Sequence, residues 1–323
     1  VEARDRFSGK LVWRNQLDEI ESGFLGNLKV IDRKDPSFLS GGVGVGLGMV
    51  LVGTTRGRVI ALSAADGAEL WRADVGGEVL SPPVTGTEEV LVQTIDGRLL
   101  ALERESGAVR WSFDNQVPIL TLRGTSTPVY DQNFVHAGFA NGMLMALRAD
   151  NGQPTWEQRI MLPEGRSELD RIVDIDGQPL VSGPVVYAAA YQGRVMGVRR
   201  EDGQPLWERD ISSYLDLAEG YGQLYVVDDV DTIHAIDQQT AENTWTQSGL
   251  SRRRLTSPIA FNNYLAVGDS EGYLHILAQS DGRFVGRRKL GGDGLRSAMI
   301  YADGILYVLT NSGALHALEV QVD

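Results

Sequence analysis

The chain has 323 residues, 42% of them hydrophobic, and its 43 acidic against 30 basic side chains give a net charge of −13. That balance, with a pI near 4.8, argues against a nucleic-acid partner, whose phosphates need a basic face. The absence of cysteine excludes disulfides, zinc–thiolate centres and a thiol nucleophile, and leaves the compartment open.

In chain order, Val1-Glu2-Ala3-Arg4-Asp5 is charged rather than a secretion signal, and it already lies within a repeat. Ala3 to Trp13 opens an eleven-residue pattern whose clearest form is Ala61 to Trp71. An alternating apolar strand runs into an Asp-Gly turn, and a second strand leaves through an aromatic, which is a hairpin signal. The pattern returns at Ala101 to Trp111, Ala146 to Trp156, Gly197 to Trp207 and Ala235 to Trp245, and in weakened form at Ile276 to Gly286. All six tryptophans therefore occupy one place in one repeat. From Trp71 onward they are spaced by 40, 45, 51 and 38 residues. A period near forty is four short strands, so the predicted fold is all-β: a β-propeller of four-stranded blades, forming a single domain over residues 1–323.

A fixed Trp can cover the open edge of one blade and plug the seam to the next. Truncating one to Ala is expected to cost about 3–5 kcal/mol. Glycine at the seventh position supplies a positive φ, and where Ala241 replaces it a different turn type is expected.

Residues 1 to 17 read as a third and fourth strand, while Leu306–Leu309 and Ala314–Val320 read as the second and third strands of a last unit. Two closures fit. Either Leu11 to Leu17 completes that last unit, giving seven blades, or the N-terminal piece belongs to a blade of its own, giving eight. Between Asp18 and Leu39 the period is interrupted, and Arg33-Lys34-Asp35-Pro36-Ser37 reads as a surface connection. Gly41 to Gly48 lacks the Lys-Ser/Thr and the helix of a phosphate loop and reads as an inner strand that needs small residues. Gly41 to Gly53, the longest weakly polar stretch, is too short and too Gly-rich to span a bilayer, so the chain reads as soluble.

Two connections are longer than the period requires: about five extra residues around Val117 to Ser126, and about eleven around Gly165 to Asp176. Lengthened loops on neighbouring blades can build one patch, here of exposed apolar residues, one arginine and several carboxylates, which suits a protein interface better than a catalytic pocket. Equally open is that Leu120 and Leu122 are core and Arg123 pairs with Asp174 within one molecule. His234, His275 and His316, each 41 apart, fall in the strand slot of Ile60, Leu100, Met145 and Met196, and read as core or rim imidazoles rather than a metal ring. Asp228-Asp229-Val230-Asp231 reads as a turn without calcium-loop spacing, and Arg252-Arg253-Arg254 as a solvated loop. No nucleophile triad or paired glycosidase carboxylates can be placed.

The repeat resembles the tryptophan-docking motif of the pyrroloquinoline-quinone dehydrogenase superfamily. Three longer stretches are similar to the BamB family of outer-membrane assembly factors: Leu120-Thr121-Leu122-Arg123-Gly124; Ser167-Glu168-Leu169-Asp170-Arg171 with Asp174-Ile175-Asp176; and Val267 to His275 followed by Asp281-Gly282-Arg283-Phe284-Val285. The resemblance implies an eight-bladed, non-enzymatic periplasmic lipoprotein without a cofactor, anchored by a lipid on a cysteine that this chain does not carry. It implies that the periplasmic polypeptide-transport domains of BamA bind through Leu120, Leu122, Arg123, Asp174 and Asp176. A second, weaker reading is that exposed blade edges or the rim receive extended strands of unfolded outer-membrane proteins by strand addition. Alternatives are a ligand-binding or sensor propeller and a quinone-dependent dehydrogenase. The latter is disfavoured because the vicinal disulfide that many such enzymes hold against the cofactor needs cysteines.

Overall fold

The structure is a computed structural model that describes residues 1–17, 40–118, 124–162 and 172–320. Among these there is no helix, and the strands form six four-stranded antiparallel sheets, one of three strands and one of two. These are the blades of a β-propeller: seven repeat units and a partial N-terminal one.

The chain divides into two compact units. The first, Val1–Gln116 with Arg123–Phe134 and Arg148–Gln153, holds the two-stranded sheet of Glu2–Arg4 and Leu11–Arg14. It also holds the sheet of Ser40–Gly46, Met49–Thr54, Arg58–Ser63 and Glu69–Asp74 and that of Val84–Thr85, Glu89–Gln93, Arg98–Glu103 and Val109–Asp114. The second unit holds three complete sheets between Leu180 and Lys289, then the three strands Ile300–Ala302, Ile305–Leu309 and Leu315–Glu319. Leu11–Arg14 pairs with Glu2–Arg4, in the register Glu2↔Arg14 and Ala3↔Trp13. Residues 2–14 thus form a hairpin of their own. The connection expected at Arg33–Ser37 lies outside the described residues.

Within each four-stranded sheet burial falls from the second strand to the fourth. Met49–Thr54 and Glu89–Gln93 are buried at every position, as short continuous apolar runs should be. In the fourth strand Glu69–Asp74 only Trp71 is buried. The first two four-stranded sheets pack through these buried faces, Leu51, Val59 and Trp71 with Val79, Val90 and Leu102.

The tryptophans dock as their spacing predicts. Within its own sheet each faces a small residue: Ala3, Ala61, Ala101, Ala146, Gly197 and Ala235 stand opposite Trp13, Trp71, Trp111, Trp156, Trp207 and Trp245. Each indole Nε1 then donates to a carbonyl of the next repeat: Ala64, Arg104, Ala149, Arg200, Gln238 and Gln279, at 2.7–3.1 Å. Except for Trp207, the ring lies on the next repeat's turn glycine, so tightly that a Cβ on Gly107, Gly152 or Gly203 would come within 2.6 Å of it.

The expectation of a different turn at Ala241 is wrong. Ala241 has φ +60°, and its N–H donates to Asp237 O at 2.9 Å, as Gly203 N–H does to Arg199 O. The hydrogen-bonded turn and the neighbouring Trp207 hold Ala in the left-handed region against its intrinsic preference. Gly41, Gly44 and Gly46 lie on the strand Ser40–Gly46 and Gly48 in the turn that follows it, and the need for small residues has a local cause: side chains on Gly41, Gly44 or Gly46 would collide with the segment Leu80–Thr85.

Candidate functional site

Of the five residues proposed from sequence, Leu120, Leu122 and Arg123 lie outside the described residues. Asp174 and Asp176 sit on the connection that leads into Leu180–Ser182. Ile172, Val173 and Ile175 are buried there, and Asp174 has no exposed surface. Asp176 is half-buried.

Backbone bonds shared with other repeats fix this connection. Tyr191 N–H donates to Asp174 O at 2.8 Å, and Ile175 N–H to Phe139 O at 3.3 Å. The same acceptor slot is filled by Glu78 for Ile95, Ser212 for Asp229, Arg253 for Ser270 and Gly294 for Asn311. Each pair is 17 residues apart. The next residue is an apolar plug: Val79, Ile175 and Leu295 fill the space over Gly53, Gly138 and Gly268, where a Cβ would overlap them. Asp174 and Asp176 therefore flank a core plug. The extra residues of this repeat are confined to the part before Ile172, a narrower span than Gly165 to Asp176. By the same count Arg123 stands 17 residues before Ala140. This slot is the regularity that the eleven-residue pattern did not reveal, although its spacing is written in the sequence.

Burial and the charge of Asp174 push the Asp176 carboxyl up to about 7, so near neutral pH it holds a proton part of the time. A cation brought against Asp176 would displace that proton.

The same slot two repeats on holds Arg253, which is not the solvated residue expected. Its Nε donates to Asp269 Oδ2 at 2.6 Å and a terminal nitrogen to Glu271 at 3.0 Å. Asp269, wholly buried, also meets His275 Nε2 at 2.8 Å and accepts the Glu271 and Tyr273 N–H groups. Burial raises its pKa, but the His275 and Tyr273 bonds and Arg253 outweigh this and hold it below the usual carboxylate range. His234, His275 and His316 face Val226, Val267 and Val308, the third-strand slot that Ile60 and Leu100 hold opposite Val52 and Val92. His234 likewise meets its own turn aspartate, Asp228, at 3.0 Å. The turn at Asp228–Asp231 is present, and Asp231 accepts the N–H groups of Arg254 and Leu255 at 2.8 Å each.

The family profile described as “Outer membrane protein assembly factor BamB” matches residues 1–247. The protein of that name from Pseudomonas aeruginosa is 46% identical over 283 residues, 88% of this chain and 74% of its own. The crystal structure of BamB from Moraxella catarrhalis superimposes with a TM-score of 0.83 at 30% identity, covering 86% of this chain and 84% of that one. A quinohemoprotein alcohol dehydrogenase from Comamonas testosteroni, 13% identical with a TM-score of 0.69 over 84% of this chain and 63% of its own, shares the fold alone. Blade pattern, sequence and superposition agree, and the chain belongs to the BamB family of outer membrane protein assembly factors.

Proposed function

We propose that this chain is a non-enzymatic scaffold subunit of the machinery that assembles β-barrel proteins in the bacterial outer membrane, acting as one propeller domain over residues 1–323. In this reading it works at the periplasmic face of that membrane, as a lipoprotein, and binds the periplasmic polypeptide-transport domains of BamA through Leu120, Leu122, Arg123, Asp174 and Asp176. Family membership supports the general role.

The observation that supports the site is geometric: the half-buried Asp176 follows the wholly buried Asp174 on a connection fixed by backbone bonds to Tyr191 and Phe139. The wholly buried Asp174 contributes through Asp176, whose hold on a proton its charge strengthens. Asp176 meets a cation of the partner, Arg123 an anion, and the two leucines supply the burial. Opposite charges on one patch fix register and exclude wrong partners more than they add affinity. Arg123→Glu in a pull-down with the isolated BamA domains should lose the complex. Undiminished binding by a folded variant would count against the site.

A second reading is that fourth-strand edges take up extended segments of unfolded outer-membrane proteins by strand addition. The observation favouring it is the edge Phe284–Lys289, which alone among the described complete fourth strands carries no tryptophan.

A further inference from the structure

In six repeats a Trp on the fourth strand faces Ala or Gly on the third. In the copy that starts at Ile276 the sizes are exchanged, and Ile276 pairs with Gly286. Nothing in the backbone demands glycine there. Gly286 is not among the residues of positive φ, and a Cβ on it would meet Ile276 at 3.6 Å, an ordinary contact. Where the indole is missing, a groove of about 920 Å³ opens, lined by Leu274, Ile276, Val285, Leu306 and Leu318 and equally by polar groups, among them Gln279, Arg287, Arg288 and Glu319. Val320 also lines it. Val320 is the fourth residue of the pattern beginning at Ala317, and in the six docked seams that fourth residue supplies the carbonyl that accepts the indole N–H.

The strand beside the groove is unusual in charge. It reads Phe-Val-Gly-Arg-Arg-Lys, without an acidic residue, in a chain of net charge −13. Arg287, Arg288 and Lys289 are exposed and make no ion pair among the described residues. Arg287 and Lys289 stand over the Tyr273 ring at 5.0 and 4.8 Å. Phe284 and Val285 expose 45% and 40% of their surface.

We propose that this groove receives an aromatic side chain, an indole above all, carried by an extended acidic segment of another polypeptide. The segment lies along Phe284–Lys289, its ring enters the place that the chain's own tryptophans fill elsewhere, and its carboxylates meet Arg287, Arg288 and Lys289. The proposal rests on the strand-addition reading and narrows it to one edge and one chemistry.

The test is fluorescence anisotropy with a dye-labelled, end-blocked decapeptide bearing one Trp among glutamates. It is compared with the same peptide carrying Trp→Ala and with one carrying Glu→Gln throughout. The protein is the wild type and Ile276→Ala/Gly286→Trp, which restores the pair found in the other repeats. Both the Trp→Ala peptide and the filled variant should weaken binding about tenfold or more, as loss of a central aromatic anchor does. The Glu→Gln peptide should bind weakly and lose the salt dependence. If the filled variant does not fold, Arg287→Glu/Lys289→Glu, at exposed positions, gives the same comparison. Equal affinity for the Trp and Ala peptides, or undiminished binding by the folded filled variant, would overturn the proposal. So would failure of a longer natural chain to bind a peptide that residues 1–323 bind, which would mean that its own polypeptide fills the groove. Photo-crosslinking to an unfolded β-barrel protein separates the two readings. Equal capture by wild type and filled variant leaves strand addition standing and removes the groove, whereas no capture by either removes both.

Discussion

Exchanging Gly and Ala between two equivalent turns should move stability in opposite directions. Gly203 has φ +72°, and a Cβ there would stand 2.6 Å from Cε3 of Trp156. Gly203→Ala therefore incurs about 1–2 kcal/mol for the left-handed conformation. It also displaces an indole whose whole burial is worth about 3–5 kcal/mol, for a total of about 2–4 kcal/mol lost. Ala241 already bears the conformational cost at φ +60°, and the indole bond it adjoins, Trp207 Nε1 to Gln238 O, is the longest of the six at 3.1 Å. Ala241→Gly releases that strain and gives back about 0.4–1 kcal/mol through a freer unfolded chain, a net gain of about 0.5–1 kcal/mol. Urea unfolding followed by tryptophan fluorescence reads both: the midpoint should fall for Gly203→Ala and rise for Ala241→Gly. Shifts in the same direction would refute the claim that indole docking fixes this turn whatever residue occupies it.

Asp176, with its folded pKa raised to about 7 by burial and by Asp174, should make stability fall as pH rises. The folded state keeps a proton that the unfolded state releases near pH 4, so the contribution is full below that value and is lost by pH 8. Asp176→Asn should flatten this profile and stabilise the protein at pH 8 by up to about 4 kcal/mol, and an unchanged pH profile in chemical denaturation would contradict it. Asp269→Asn should cost about 3 kcal/mol, because it strips the buried partner from Arg253 and His275. A midpoint within error of the wild type would show that the cluster is dispensable.

The repeat was legible because one large side chain returns at one position, and indole docking needs only a short glycine-centred turn in the following repeat, which the same pattern supplies. The Ala241 turn was misread because residue preference was weighed without the hydrogen bond to Asp237 and the neighbouring Trp207, which together override it. Arg253 was misread because its partners Asp269 and Glu271 lie 16 and 18 residues ahead, beyond any local charge pattern. Asp174 was grouped with surface carboxylates because it falls in a lengthened connection, and such loops usually run over the surface. This part of the connection is instead held in the core by its bonds to Phe139 and Tyr191, partners 35 and 17 residues from Asp174 that no local pattern announces.

Hydrogen–deuterium exchange of the chain alone and in complex with the periplasmic domains of BamA tests the central claim most directly. Protection should appear over residues 117–126 and 172–178 and leave the fourth-strand edges of other repeats unchanged. Protection elsewhere, with these two connections exchanging at their free rates, would contradict the account.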